Sequence, residues 1–127
     1  MIQVKQLNKL QLEEFIRSDE FNRMEHLPIS KHRALSHIKN PRANEEDILL
    51  LLAYDGDEMV GYLGALPDSI WYQNQFEHCA WLSCIWVSPK HRGKRIAFQL
   101  IQQCFEAWNN KILITEYTLP AKQLYLK

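Results

Sequence analysis

In the stretch SPKHRGKRIA, three cationic side chains, Arg92, Lys94 and Arg95, crowd around Gly93, with His91 just before them. Upstream, the compact apolar run Ile85-Trp86-Val87 stops at Ser88-Pro89. Downstream, Ile96, Ala97, Leu100, Ile101, Cys104, Phe105 and Trp108 recur at helical spacing. A strand therefore runs into a helix, with Arg92-Gly93-Lys94-Arg95 at the junction. The chemistry open to such a junction is anion binding. Gly93 lets the backbone approach a ligand because it has no Cβ. The first helical turn leaves N–H groups without intrahelical partners, and the helix dipole adds about half a positive charge there. A pyrophosphate fits that arrangement. In isolation, a basic loop with one glycine reads as a solvated helix start. Two features favour the anion site: Pro89 breaks the strand immediately before it, and Ala97 is small where the helix must sit tightly under a ligand.

Other reactive side chains carry weaker signals. Nothing in the sequence locates a base beside Cys84, which reads as a buried inert thiol rather than a nucleophile. Cys79, Cys84 and Cys104 are odd in number and lack CxxC spacing, the pattern of reduced thiols in a cytoplasmic protein. His32 and His37 give no zinc spacing, and no metal site is expected. Trp71 and Tyr72 either line an acceptor cleft or cap the sheet edge, and the sequence leaves the two readings level.

The elements that position these residues follow from periodicity. Ile2, Val4 and Leu7 mark a short first strand, and Asn8 an N-cap for a helix with Leu12, Phe15 and Ile16 on its apolar stripe. Ser30 starts a second helix carrying Leu35 and Ile38 and stopped near Pro41. Residues 48–54 form a buried strand, Asp55-Gly56 supplies a tight turn, and residues 59–66 return antiparallel. Residues 67–78 are expected to form a long loop holding Trp71, Tyr72 and Phe76. Residues 80–87 are the next strand, 92–109 a helix, 112–118 a further strand and 120–127 the start of another helix. The strands flanking the 92–109 helix must be joined by a crossover, which makes them parallel and right-handed. The expected class is α/β, a mixed sheet with an antiparallel N-terminal meander, a βαβ crossover and helices on its faces.

At 127 residues the chain is expected to be one domain, 1–127, with a single core. Fifteen basic and fifteen acidic side chains cancel, so no global field draws it to nucleic acid or membrane. A nucleic-acid-binding role for residues 91–95 is weakened by that balance. The longest apolar run, residues 48–54, is too short to span a bilayer, and Met1 leads into an alternating pattern rather than a signal peptide. A cytoplasmic location is expected.

VSPKHRGKRIAFQLI resembles the acetyl-coenzyme A signature of the GNAT acetyltransferases, R/Q-x-x-G-x-G/A between a strand and a helix. Arg92, Arg95 and Ala97 fall on its first, fourth and sixth positions. Arg95 departs from the family's usual Gly, a place an Arg can take if its φ is negative. The order of elements resembles the family from Ile2 to Lys127. The resemblance implies an N-acetyltransferase with acetyl-CoA as cosubstrate. Its pyrophosphate would lie on the amides of Gly93, Lys94, Arg95 and Ile96, between Arg92 and Ala97. Its pantetheine would pair with the backbone of Ile85 and Val87 as an added strand does, one amide there polarising the thioester carbonyl. A primary amine of a small molecule or peptide would then attack directly, which requires a base and a proton donor for the departing thiolate.

AKQLYLK, residues 121–127, resembles the second family motif, whose Tyr protonates the leaving sulfur. Tyr125 matches it; the alternative is a Tyr packed on the sheet. Family members often carry a Glu on the strand before the first motif, but residues 80–87 contain no carboxylate. His78 and Glu116 remain as candidate bases, and Ser83 could only order a water. The missing carboxylate keeps open a second reading, a GNAT-like module that binds acyl-CoA without catalysis. Family members usually continue beyond the LYxK segment into two more strands. Residues 1–127 are therefore expected to be the N-terminal part of a longer chain, or else to pair as a homodimer through the edge of the 112–118 strand.

Overall fold

The structure, a computed structural model of the chain, describes residues 2–23, 29, 31–91, 93 and 95–113. Its elements are β1 (Ile2–Leu7), α1 (Lys9–Ile16), α2 (Asp19–Arg23), α3 (Lys31–Ile38), β2 (Leu50–Asp55), β3 (Glu58–Tyr72), β4 (Gln75–Val87), a 3-10 turn (Pro89–His91), α4 (Ile96–Ala107) and β5 (Ile112–Leu113). The strands lie in the order β1-β2-β3-β4-β5. Neighbours are antiparallel as far as β4, and β4 pairs with β5 in parallel, Ala80 opposite Ile112 and Trp81 opposite Leu113. The sheet is mixed and the class is α/β, with α4 as the crossover between the parallel pair.

Local chemistry accounts for most of these elements. The Asn8 side chain accepts from the Gln11 N–H at 3.0 Å, and Gln11 Oε1 accepts from the Asn8 N–H at 3.0 Å, a reciprocal cap that starts α1. The run LLLAY in β2 is apolar at successive positions because both faces of that strand are covered. Leu51 and Ala53 join Val60, Leu63, Ala65 and Ala80 beneath Ile96, Leu100, Cys104 and Trp108 of the α4 layer. Leu50, Leu52 and Tyr54 face Leu12, Ile16, Phe21 and Ala34 of the α1–α3 layer.

Residues 67–78 are not a loop. β3 and β4 pair as far as Trp71 opposite Phe76 and Tyr72 opposite Gln75, closed by the two-residue turn Gln73-Asn74. Both turn residues are left-handed, at φ 51° and 66°, the conformation that matches the twist of a hairpin. Pro67 is tolerated because it lies two residues past Ala65, whose N–H bonds Leu49 O at 2.9 Å. No ladder donor to β2 is lost there, and Asn40 Nδ2 donates to Pro67 O at 2.9 Å. Among the described residues there are three helices between β1 and β2 rather than two, because the short α2 follows Ser18, whose hydroxyl accepts from the Phe21 N–H at 3.2 Å.

One irregularity bears on function. Gly64 pairs with Cys84 and Ala65 with Leu82, so Ser83 has no partner on β3 and forms a bulge. Across a bulge two successive side chains take the same face. A Cβ on Gly64 would meet both Ser83 Oγ, at 2.5 Å, and Cys84 Sγ, at 3.0 Å.

Candidate active site

β4 ends where Ser88 N–H donates to Val60 O at 2.8 Å, and the 3-10 turn closes where His91 N–H donates to Ser88 O at 2.9 Å. Two left-handed residues then reverse the chain into α4: Gly93 at φ +93° and Arg95 at φ 61°, ψ 26°. The expectation of a negative φ at Arg95 is therefore corrected. The short path from strand to helix needs a left-handed residue immediately before Ile96, and Arg95 takes that conformation although it carries a Cβ. Its guanidinium lies over the Phe98 ring, 4.9 Å from the centroid, and its side chain makes no capping bond to the helix. A Cβ on Gly93 would meet no protein atom within 4 Å. Glycine is required here by the positive φ, and the open space beside it leaves room for a ligand. Ile96, the first residue of α4, is buried and Ala97 is half-buried. Arg92 and Lys94 lie outside the described residues.

On β4, Ile85 and Val87 pack toward the α4 layer. The opposite face carries Trp81, Ser83, Cys84 and Trp86, and β3 contributes Tyr62 and Gly64. Tyr62 and Trp86 stack with centroids 5.6 Å apart and planes 22° from parallel. Burial raises the Tyr62 pKa, Cys84 raises it further, and Arg33 on α3 opposes them. Trp81 Nε1 donates to Asp68 Oδ2 at 2.9 Å, the Ser69 N–H donates to Asp68 Oδ1 at 2.8 Å, and Arg42 bonds the same carboxylate. These bonds, with Trp81 foremost, hold Asp68 below the usual carboxylate range. The result is an aromatic floor with small side chains at its centre. Sequence reasoning missed it because a bulge is a property of pairing between β3 and β4, and Gly64 was its only local trace.

Of the two candidate bases, His78 is not brought to that floor. His78 Nε2 lies 2.6 Å from Asp47 Oδ2, and its ring packs on Trp108 at 5.2 Å, on the α4 side of the sheet. It lies five positions before Ser83, about 16 Å at the rise of a strand. Glu116 and Tyr125 lie outside the described residues. Trp71 and Tyr72 are 62% and 57% exposed at the tip of the β3–β4 hairpin, where Trp71 meets Phe76 edge-to-face at 5.0 Å. They cap the tip.

The three cysteines are free. Burial pushes the Cys104 thiol up to about 12, and burial followed by Asp68 raises Cys79, so both are inert at neutral pH. Among the described residues, no group of three His, Cys, Asp or Glu could hold a metal ion, and no helix is long and apolar enough to cross a membrane.

A family model described as the acetyltransferase (GNAT) family matches residues 5–127. No curated protein matches the sequence significantly. Among solved structures, glucosamine-6-phosphate N-acetyltransferase from Arabidopsis thaliana superposes with a TM-score of 0.66 at 10% identity, covering 99% of this chain and 88% of its own. An aminoglycoside acetyltransferase, HMB0005, from an uncultured soil metagenomic sample gives 0.64 at 21%, covering 99% and 89%. The aminoglycoside 6'-N-acetyltransferase AAC(6')-Ih from Acinetobacter baumannii gives 0.58 at 18%, covering 99% and 86%. At these identities the likeness is one of fold.

Proposed function

Because the chain belongs to the GNAT acetyltransferase family, we propose that it transfers an acetyl group from acetyl-CoA to a primary amine of a small molecule or peptide by direct attack. The observation that carries this reading is the junction after β4. Gly93 and Arg95 are both left-handed there, and the helix that follows opens without a side-chain cap. The amides of Gly93, Lys94, Arg95 and Ile96 would take the pyrophosphate, with Arg92 adding charge and Ala97 keeping the helix close. The edge of β4 at Ile85 and Val87 would hold pantetheine by its backbone, which carries the thioester toward the Ser83 bulge. The acceptor would lie on the floor of Trp81, Tyr62 and Trp86. Amino sugars and small aromatic amines are the class that such a floor suits, and a glucosamine-6-phosphate and an aminoglycoside acetyltransferase share the fold.

Tyr125 is the acid in this reading, protonating the departing thiolate. His78 is held by Asp47 and Trp108, which leaves Glu116 as the candidate base of this reading. The test is release of free CoA on mixing acetyl-CoA with a panel of amines. Arg92→Glu should weaken CoA binding in a calorimetric titration, Lys94→Ala should do so less, and Tyr125→Phe should lower the maximal rate with CoA affinity nearly intact. Unchanged affinity in Arg92→Glu would remove the pyrophosphate from this junction.

One observation favours a second reading, an acyl-CoA-binding module without turnover. β4 gives the floor Trp81, Ser83, Cys84 and Trp86 and no carboxylate, and the Asp68 carboxylate beside Trp81 is already engaged by Trp81, Ser69 and Arg42. Tight CoA binding with no thiol release against any amine would support it.

A further inference from the structure

A turn with two left-handed residues so close together does not hold itself. Arg95 carries a Cβ in a conformation that side chains disfavour, so its surroundings must impose it. The neighbouring 3-10 turn is fastened below by Ser88 to Val60 and internally by His91 to Ser88. His91 supplies a further link. It is only 8% exposed, and its Nε2 lies 3.4 Å from Asp55 Oδ2, at the end of β2 where the chain turns through Gly56. His91 and His37 are the two buried polar or charged side chains among the described residues. His91 Nδ1 is buried without a hydrogen-bond partner, an arrangement that a purely packing role would not require.

We propose that His91 is a positioning residue for the anion-binding turn. By tying the 3-10 turn to Asp55 on the β2–β3 corner, it fixes where Gly93 and Arg95 present their amides. This rests on the acetyl-CoA reading above and refines it. The link acts on the pyrophosphate end of the ligand and not on the pantetheine end, because pantetheine lies along β4, upstream of the turn. A side chain that merely filled the core would affect both ends or neither.

The test uses CoA, titrated calorimetrically, and pantetheine, which lacks the nucleotide and its phosphates, followed by ligand-observed NMR. His91→Phe keeps the bulk of the ring and removes both nitrogens, while His91→Gln retains a polar group able to reach Asp55. We expect His91→Phe to bind CoA roughly tenfold more weakly, about the loss of one hydrogen bond to a charged group. Pantetheine affinity should be unchanged, and His91→Gln should recover most of the loss. A His91→Phe protein that binds CoA as the wild type does would overturn the proposal, as would an equal loss for CoA and pantetheine. Should His91→Phe fail to fold by circular dichroism, His91→Asn decides, because its shorter amide cannot span to Asp55. Wild-type CoA affinity in His91→Asn would overturn the proposal, and a loss confined to CoA would support it. Wild-type protein that binds no CoA would instead bring down the acetyl-CoA reading itself.

Discussion

A Cβ added at Gly64 would sit 2.5 Å from Ser83 Oγ and 3.0 Å from Cys84 Sγ, closer than side-chain atoms pack. The clash arises because the bulge turns both residues of β4 onto one face, directly across from Gly64. Gly64→Ala must therefore move Ser83, and overpacking of this kind costs about 1–3 kcal/mol. Adding Ser83→Ala removes the nearest atom and leaves Cys84 Sγ at 3.0 Å and the Cβ of residue 83 at 3.9 Å. The double variant should recover more than half of the loss, a coupling above the roughly 0.5 kcal/mol seen for independent sites. Urea denaturation of the two single variants and the double variant measures it. Strict additivity would mean that Gly64 and Ser83 do not meet across the bulge. The same geometry matters for chemistry, because it puts two small side chains at the centre of the Trp81, Tyr62 and Trp86 floor, where an acceptor needs room.

At the scale of the element, backbone strain is carried at the start of α4, where Arg95 is left-handed. A left-handed Arg95 costs about 1–2 kcal/mol relative to glycine, partly offset by the guanidinium over Phe98, worth about 0.5–1 kcal/mol at an exposed site. Arg95→Gly removes both terms and should stabilise the protein by about 0.5 kcal/mol. Arg95→Ala keeps the strain, loses the stacking and should destabilise by a similar amount. The order Gly, wild type, Ala in denaturation midpoint is the expected result. A less stable Gly variant would show that the Arg95 side chain itself holds the turn.

This element also marks how far the sequence could be read. The strand, break and helix from Cys84 to Trp108 were legible because Pro89 and a helical apolar stripe are local signals. The handedness of Arg95 was not, since it follows from how β4 must hand the chain to α4. The β3–β4 hairpin was misread for a related reason. Pro67 and the polar Gln73-Asn74-Gln75 are loop punctuation in one dimension, and the turn uses Gln73 and Asn74 in left-handed positions where sequence rules look for glycine. Only the absence of a β2 partner past Ala65 makes Pro67 acceptable, and that is a property of the sheet. His78 was legible as a titratable residue but not as the partner of Asp47 and Trp108, which reach it from thirty or so positions away on either side.

At the scale of the whole molecule, the α4 layer and the α1–α3 layer cover the sheet, but the hairpin tip runs beyond both. Among the described residues, three of the five large exposed apolar side chains, Trp71, Tyr72 and Phe76, sit there together. Exposed apolar surface that is contiguous favours association, and the remedy most proteins use, net charge, is missing: formal charge is zero with an isoelectric point near 7.0. The Glu77–Lys111 ion pair at 3.0 Å, beside the tip, is itself neutral. Self-association should therefore be strongest near pH 7. It should weaken toward pH 5 as the chain moves below its isoelectric point and gains net positive charge, with His37 contributing late because burial, and then Arg33, lower its pKa. Replacing Trp71 and Phe76 together by Ser should reduce association at pH 7 while leaving the far-ultraviolet circular dichroism unchanged, because neither side chain belongs to the core. Light scattering against pH, on the wild type and the double variant, separates the two causes. A pH maximum that persists in the double variant assigns association to the vanishing net charge, and its disappearance assigns it to the hairpin tip. Association equal at pH 5 and pH 7 in both proteins would exclude either cause and place the contact on another surface.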